Sequence, residues 1–393
     1  MKLKWKLENT NLMIGIACGF AIGAFIINVA PQAISSLMDS YGFSESQAGM
    51  INTVEIAMGA ISCTLLSPLL LVRFDHQRLI VAGCVLIILG SLSVLAVSSF
   101  TSIALLRAIA GLGTGLVLAA ASSGLVHAKD PDKLFAEVAV VITLTMTIVI
   151  YALASIKAAW GYSGLMLVFS SFAFACCLPM VKLIPKGKPV EEQSSKPLIS
   201  ILKGAGGLGA LSMLMFTVLE SGIWNFAERA ALSVGLDEEQ IAMLLSISMA
   251  SGLAGAILTI VAGKMFGREL PIIIGCAVMG LCGLFIYNPP ATIFLIVSIA
   301  IFNLSFFFVI PFIFGGCAES DSEGRMTAIV AGMQATGGAI GPSLAGFTIE
   351  NYGYAFLGYT CLALAAAAAM LGSAMALQLR RDSKTASFQE ISA

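Results

Sequence analysis

Charge is scarce in this sequence. Lys, Arg, Asp and Glu make up 11% of 393 residues, against roughly 25% in a soluble globular chain. Histidine is scarcer still. His76 and His127 both fall in polar stretches between apolar runs, which leaves no basis for metal or catalytic-triad chemistry. Neither sign of charge predominates, the net value is −1, and no large basic patch exists, so no nucleic-acid partner is expected. No phosphate-binding loop is present to support ATP hydrolysis. The nine cysteines (Cys18, Cys63, Cys84, Cys176, Cys177, Cys276, Cys282, Cys317 and Cys361) are odd in number, lack metal-ligand spacing and lie almost entirely inside apolar runs. They are expected to be small buried hydrophobes. No cofactor, no metal and no enzymatic activity are expected.

Apolar residues take the space that charge leaves, at 58% of the chain. They gather into runs of about 20 residues, each able to cross ~30 Å of hydrocarbon as a helix. Hydropathy places spans near 12–34, 46–71, 79–99, 102–126, 135–156, 162–183, 204–226, 239–263, 270–288, 291–317, 326–348 and 355–379. The opening MKLKWKLENTNLMIGIACGF has the basic flank of a signal peptide. Its apolar run is too long and lacks a small-residue cleavage site, so it is read as the first span. Most connections are short, except the charged, Pro- and Ser-containing KGKPVEEQSSKPLISILK. The expectation is an all-α polytopic membrane protein with twelve transmembrane helices in two six-helix pseudo-symmetric halves. Residues 1–185 form the N-terminal half, 186–203 a cytoplasmic linker, 204–381 the C-terminal half and 382–393 a cytoplasmic tail.

The basic residues test this topology, because cytoplasmic loops carry the excess Lys and Arg. With the N-terminus inside, all but Lys157, Arg229 and Arg107 of the 21 basic residues fall on the cytoplasmic side or at its edge. Both termini are therefore expected inside a cytoplasmic (inner) membrane. The halves also repeat. GFSESQAGM at 42–50 matches GLDEEQIAM at 235–243, and Trp160-Gly161-Tyr162 matches Tyr352-Gly353-Tyr354. Copies six helices apart have the same orientation, a parallel repeat in which a substrate site lies between halves near the midplane.

Local motifs carry a resemblance. LLRAIAGLGTGL places Arg107 four residues before a glycine series, Gly111, Gly113 and Gly115. GRMTAIVAGMQATGGAIGPSLAG contains the pair Gly341-Pro342. Between spans two and three the chain reads PLLLVRFDHQR, with Arg73 and Arg78; its second-half counterpart, KMFGRE, has Gly267 and Arg268. Together these resemble the major facilitator superfamily over essentially the whole chain. The resemblance implies secondary transport by alternating access, with helices one, four, seven and ten lining the cavity. Val72 stands where the family's loop motif carries Asp, and Asp75 where it carries Gly. The Gly-Pro pair usual in helix five of drug–proton antiporters is absent, which weighs against multidrug efflux. The alternative reading of the glycine series as a dinucleotide loop lacks its strand and βαβ context; glycines at this spacing permit close helix packing.

Charges deep in a bilayer cost roughly 2.5–3.5 kcal/mol each on insertion scales and usually face a cavity or a partner. Glu55, Arg107 and Glu220 are the three such residues. Arg107 is either a substrate anchor or the partner of Glu55 in a structural pair. Glu55 and Glu220 are candidates for proton coupling, with Glu220 preferred because no basic residue lies within one turn on its helix. Trp224 and Glu228 follow Glu220 on one helical face, with Asn225 and Arg229 beside it. Trp224 is either a substrate contact or an interfacial belt residue, and Glu228 and Arg229 are expected in solvent. Asn28, Asn303 and Gln334 are further polar candidates or simple interhelical hydrogen-bonders. Glu137 reads as an interfacial charge, Phe306-Phe307-Phe308 as packing, and Pro311 and Pro342 as bends.

The reading is a monomeric secondary active transporter in the lipid bilayer, moving a small organic solute and coupled to protons. The lone deep Arg argues against nitrate or phosphate esters, for which paired cations are expected. Drug or metabolite efflux by antiport is one alternative, and a non-transporting membrane sensor on the same fold is another.

Overall fold

The computed structural model describes residues 2–67, 70, 74–124, 131–184, 204–320 and 325–392. The expected linker, 186–203, and Arg73 lie outside these residues. Helices dominate, in the order α1 (Lys2–Asn28), α2 (Ala30–Tyr41), α3 (Glu45–Ile61), α4 (His76–Ser93), α5 (Phe100–Gly124), α6 (Pro131–Leu183), α7 (Ala205–Ser233), α8 (Glu238–Phe266), α9 (Glu269–Tyr287), α10 (Thr292–Ser320) and α11 (Arg325–Ser392). A π-helical turn, Ser62–Leu66, prolongs α3.

Among the described residues, ten helices are long and apolar enough to span a membrane. Two of their apolar stretches, Glu137–Leu183 in α6 and Ile329–Asp382 in α11, run to 47 and 54 residues, each enough for two crossings at about 20 residues apiece. Each of these helices is a pair joined at a glycine with non-helical backbone, Gly161 (φ 55°) in α6 and Gly353 (φ 81°) in α11. Only glycine adopts that region without steric cost. Eight of the ten spanning helices are of single length and two of double length, against the twelve spans expected from hydropathy. The first span is divided at Val29, where Pro31 at the start of α2 supplies no N–H to continue the ladder.

The sequence repeat recurs in local structure. Ser44 opens α3 with a capping box, its hydroxyl accepting from the Gln47 N–H while the Gln47 side chain accepts from the Ser44 N–H. Asp237 and Gln240 make the same reciprocal pair before α8, at 2.8 and 3.1 Å. Two orphan N–H groups are satisfied at each helix start. The preceding glycines, Gly42 and Gly235, both have positive φ.

The chain divides into two compact units, Met1–Glu192 with Leu236–Ser246, and Gln193–Gly235 with Ile247–Ala393. In the first, α5 packs against α1, α3 and α4. Its glycine series makes this possible on two sides. A Cβ on Gly111 or Gly115 would sit 2.2 Å from the carbonyl oxygen of Glu55 or Gly59 on α3. One on Gly113 would meet the Gly83 carbonyl of α4 at 2.4 Å. Backbone-to-backbone approach of this kind is what small residues permit in membrane helices. Lys157, expected at an outer loop, is buried in α6, its Nζ 3.2 Å from Oε1 of Glu238.

In the second unit α7 is the central element, packed against α9, α10 and α11. Gly341 again marks a close approach, since a Cβ there would lie 2.8 Å from the Gly222 nitrogen. Pro342 and Pro311 lie within helices that continue through them. At the end of α10, Glu319 pairs with Arg268, which follows Gly267 (φ 68°) in the turn before α9. Arg78, beside the corresponding turn of the first unit, is exposed. α11 continues helically to Ser392, through the segment read as a tail.

Candidate functional site

The deep charges separate into two environments. Arg107 is fully buried on α5 and Glu55 is 2% exposed on α3. The guanidinium holds the carboxylate through two hydrogen bonds, Nε to Oε2 at 2.8 Å and Nη2 to Oε1. Its remaining nitrogen donates to Ser91 Oγ at 3.0 Å and lies 3.1 Å from the Met166 sulfur. The Phe169 ring lies 5.7 Å from the guanidinium carbon, and Phe25 stacks on that ring. The ion pair inferred as the structural alternative is thus present. Paired in this way, with Nε, Nη1 and Nη2 all engaged, Arg107 has limited capacity left for a solute. Ser91, Met166 and Phe169 come from other helices, and no spacing in the sequence points to them.

Glu220 stands in contrast. It is partly buried on α7, and no hydrogen bond or ion pair reaches it from the described residues. One turn before it Phe216 stacks on Phe306, with centroids 6.0 Å apart and rings 8° from parallel. One turn after it Trp224 stacks on Phe302, at 5.9 Å and 6°. Phe302 and Phe306 are themselves one turn apart on α10. The carboxyl therefore sits at a level between two aromatic stacks that zip α7 to α10. Trp224 is 4% exposed, a core position rather than the interfacial belt. Glu228, expected in solvent, is buried at 2%, because α7 runs through the middle of its unit rather than emerging at that point. Arg229 is partly buried.

The neighbouring amides are engaged within the unit. Asn225 Nδ2 donates to the Ser221 carbonyl and hydroxyl at 2.8 and 3.2 Å, and Ser221 Oγ donates to the Gly338 carbonyl at 2.8 Å. Asn303 Nδ2 donates to Ser248 Oγ at 3.0 Å. Gln334, on α11, is partly buried and has no such partner among the described residues. In the first unit Asn28 is partly buried and bonds back to the Ala24 carbonyl of its own helix. Gln32, one turn on and missed by the sequence reading, is buried and donates to the Ile150 carbonyl at 2.8 Å, while its Oε1 has no partner among the described residues. Glu137 is exposed, as an interfacial charge would be.

Among solved structures, the fold is similar over nearly its full length to several transporters. The D-xylose–proton symporter aligns with TM-score 0.70 and 15% identity, over 94% of this chain and 97% of that one. The nucleoside transporter NupG aligns at 0.69 and 14%, over 94% and 98%. A bacterial homologue of the human lysosomal transporter Spinster, inward-facing and unoccupied, aligns at 0.69 and 12%, over 95% and 97%. At such identities the likeness speaks to fold. No curated protein sequence matches. The sequence profile of the Major Facilitator Superfamily matches residues 13–320, and the chain, with its all-helical fold, its repeated units and the Arg107 glycine helix, belongs to that superfamily.

Proposed function

We propose that this protein is a proton-coupled secondary transporter that moves a small organic solute across the cytoplasmic membrane by alternating access, both termini facing the cytoplasm. One observation carries the coupling part: Glu220 is a partly buried carboxyl with no partner among the described residues, on the most buried spanning helix. A carboxyl that must be neutralised within a membrane, and has no fixed cation to do it, is suited to loading and releasing a proton. Arg107 and Glu55 neutralise each other, so their role is to hold α3, α4 and α5 together. The related proteins support solute transport as the class of activity, one of them being a proton symporter.

The test is transport in proteoliposomes, with the solute chosen by a ligand-stabilisation screen. Glu220→Gln, a mimic of the protonated acid, abolishes gradient-driven accumulation and leaves exchange at saturating solute intact.

A further inference from the structure

The surroundings of Glu220 also bear on what is carried, an inference that rests on the chain being a transporter but not on proton coupling. We propose that Glu220, with the stacks Phe216–Phe306 and Trp224–Phe302, forms a binding subsite for an organic cation, an ammonium centre carried on an apolar body.

Charge comes first. The carboxylate has no ion-pair partner among the described residues, and its nearest charged neighbours along α7 are Glu228 and Arg229, eight and nine residues away, hence roughly 12–13 Å at 1.5 Å per residue. An anionic solute would meet uncompensated repulsion there. The Arg107 guanidinium of the first unit already holds Glu55. A cationic solute supplies the missing charge.

The flanking groups then decide which cation. An inorganic ion of the hard type takes six or more oxygen ligands. The residues one turn to either side of Glu220 offer aromatic carbon instead. Aromatic faces attract ammonium centres by about 0.5–2 kcal/mol and are the usual means of recognising quaternary ammonium groups. Phe306 and Glu220 are the partly accessible members of the group, while Phe216, Phe302 and Trp224 are buried behind them. The cation therefore reaches Glu220 and the Phe306 ring first.

A polyol or a nucleoside fits less well. Such solutes require several convergent donors and acceptors. The amide donors of Asn225 and Asn303 and the Ser221 hydroxyl are spent on groups of the same unit. What remains at this level is one carboxylate and apolar surface.

Binding to the purified full-length protein tests the inference, using trimethylphenylammonium and its uncharged carbon isostere tert-butylbenzene as probes, with D-xylose, uridine and benzoate for comparison. The expectation is that the ammonium compound binds at least tenfold more tightly than its isostere. Glu220→Gln removes that preference, Glu220→Asp keeps most of it, and Phe306→Leu weakens the cation about fivefold while hardly changing the isostere. Phe306 is partly exposed, so its variant folds if any does; a melting temperature near wild type identifies usable preparations. Equal affinity for the two isosteres, or a cation preference that survives Glu220→Gln, overturns the proposal. So does saturable binding of D-xylose, uridine or benzoate that the cation does not displace. Failure of proton coupling appears separately, as accumulation unchanged in Glu220→Gln, and leaves the isostere comparison standing.

Discussion

Arg107 and Glu55 face each other across α5 and α3, with Ser91 of α4 on the remaining guanidinium nitrogen. The same two helices touch backbone to backbone at Gly111, against the Glu55 carbonyl. Charge pairing and close packing therefore depend on each other. Moving the helices apart would stretch the hydrogen bonds that neutralise the carboxylate inside the membrane.

Breaking such a buried pair from one side typically costs about 3–5 kcal/mol, whereas replacing both members by apolar groups is often neutral. Glu55→Gln alone should destabilise the detergent-solubilised protein on that scale, and Glu55→Leu with Arg107→Leu should recover most of the loss. Arg107→Lys keeps the charge but not the two-point grip. It should fall between wild type and Glu55→Gln in thermal stability and transport poorly. A double-mutant cycle with no coupling between positions 55 and 107 would contradict this.

Glycine substitutions give a contrast of sign. Gly→Ala in an open helical position gains up to about 1 kcal/mol of helix propensity. Gly332 on α11 has nothing within 4 Å of the added Cβ, whereas at Gly115 that carbon lies 2.2 Å from a carbonyl oxygen. Gly332→Ala should leave the melting temperature unchanged or raise it slightly. Gly115→Ala should lower it and reduce the monodisperse yield. Equal effects at both sites would mean that α5 does not need its glycines for packing.

Membrane orientation follows from the basic residues and is tested by cysteine labelling in a thiol-free background. Position 195, in the linker, should react with an impermeant reagent only after cells are opened. Position 288, at the end of α9, should react in intact cells. Labelling of position 195 from outside would invert the proposed topology.

Much of the fold was legible in the sequence because its determinants are local. Apolar run length marks a membrane helix, and glycines at four repeat-related positions mark the turns at 42, 161, 235 and 353. The site was only partly legible. Glu55, Arg107 and Glu220 stand out as charges in apolar runs, and the pairing of the first two was one of the readings offered. The aromatic stacks were not foreseen, although Phe216 lies one turn before Glu220, because Phe302 and Phe306 come from another helix and a Phe run in a membrane span has no distinctive spacing. Burial of Lys157 against Glu238, and the Arg268–Glu319 pair, were missed for the same reason. A charge near a helix end reads as solvated until its partner 51 or 81 positions away is known.

The most direct measurement of the central claim is solute accumulation by Glu220→Gln in proteoliposomes under an imposed proton gradient, set beside solute exchange with no gradient. Accumulation should fall at least tenfold, to the level of protein-free vesicles, while exchange at saturating solute stays within about threefold of wild type. Accumulation that still follows the gradient as in wild type would remove Glu220 from the coupling mechanism.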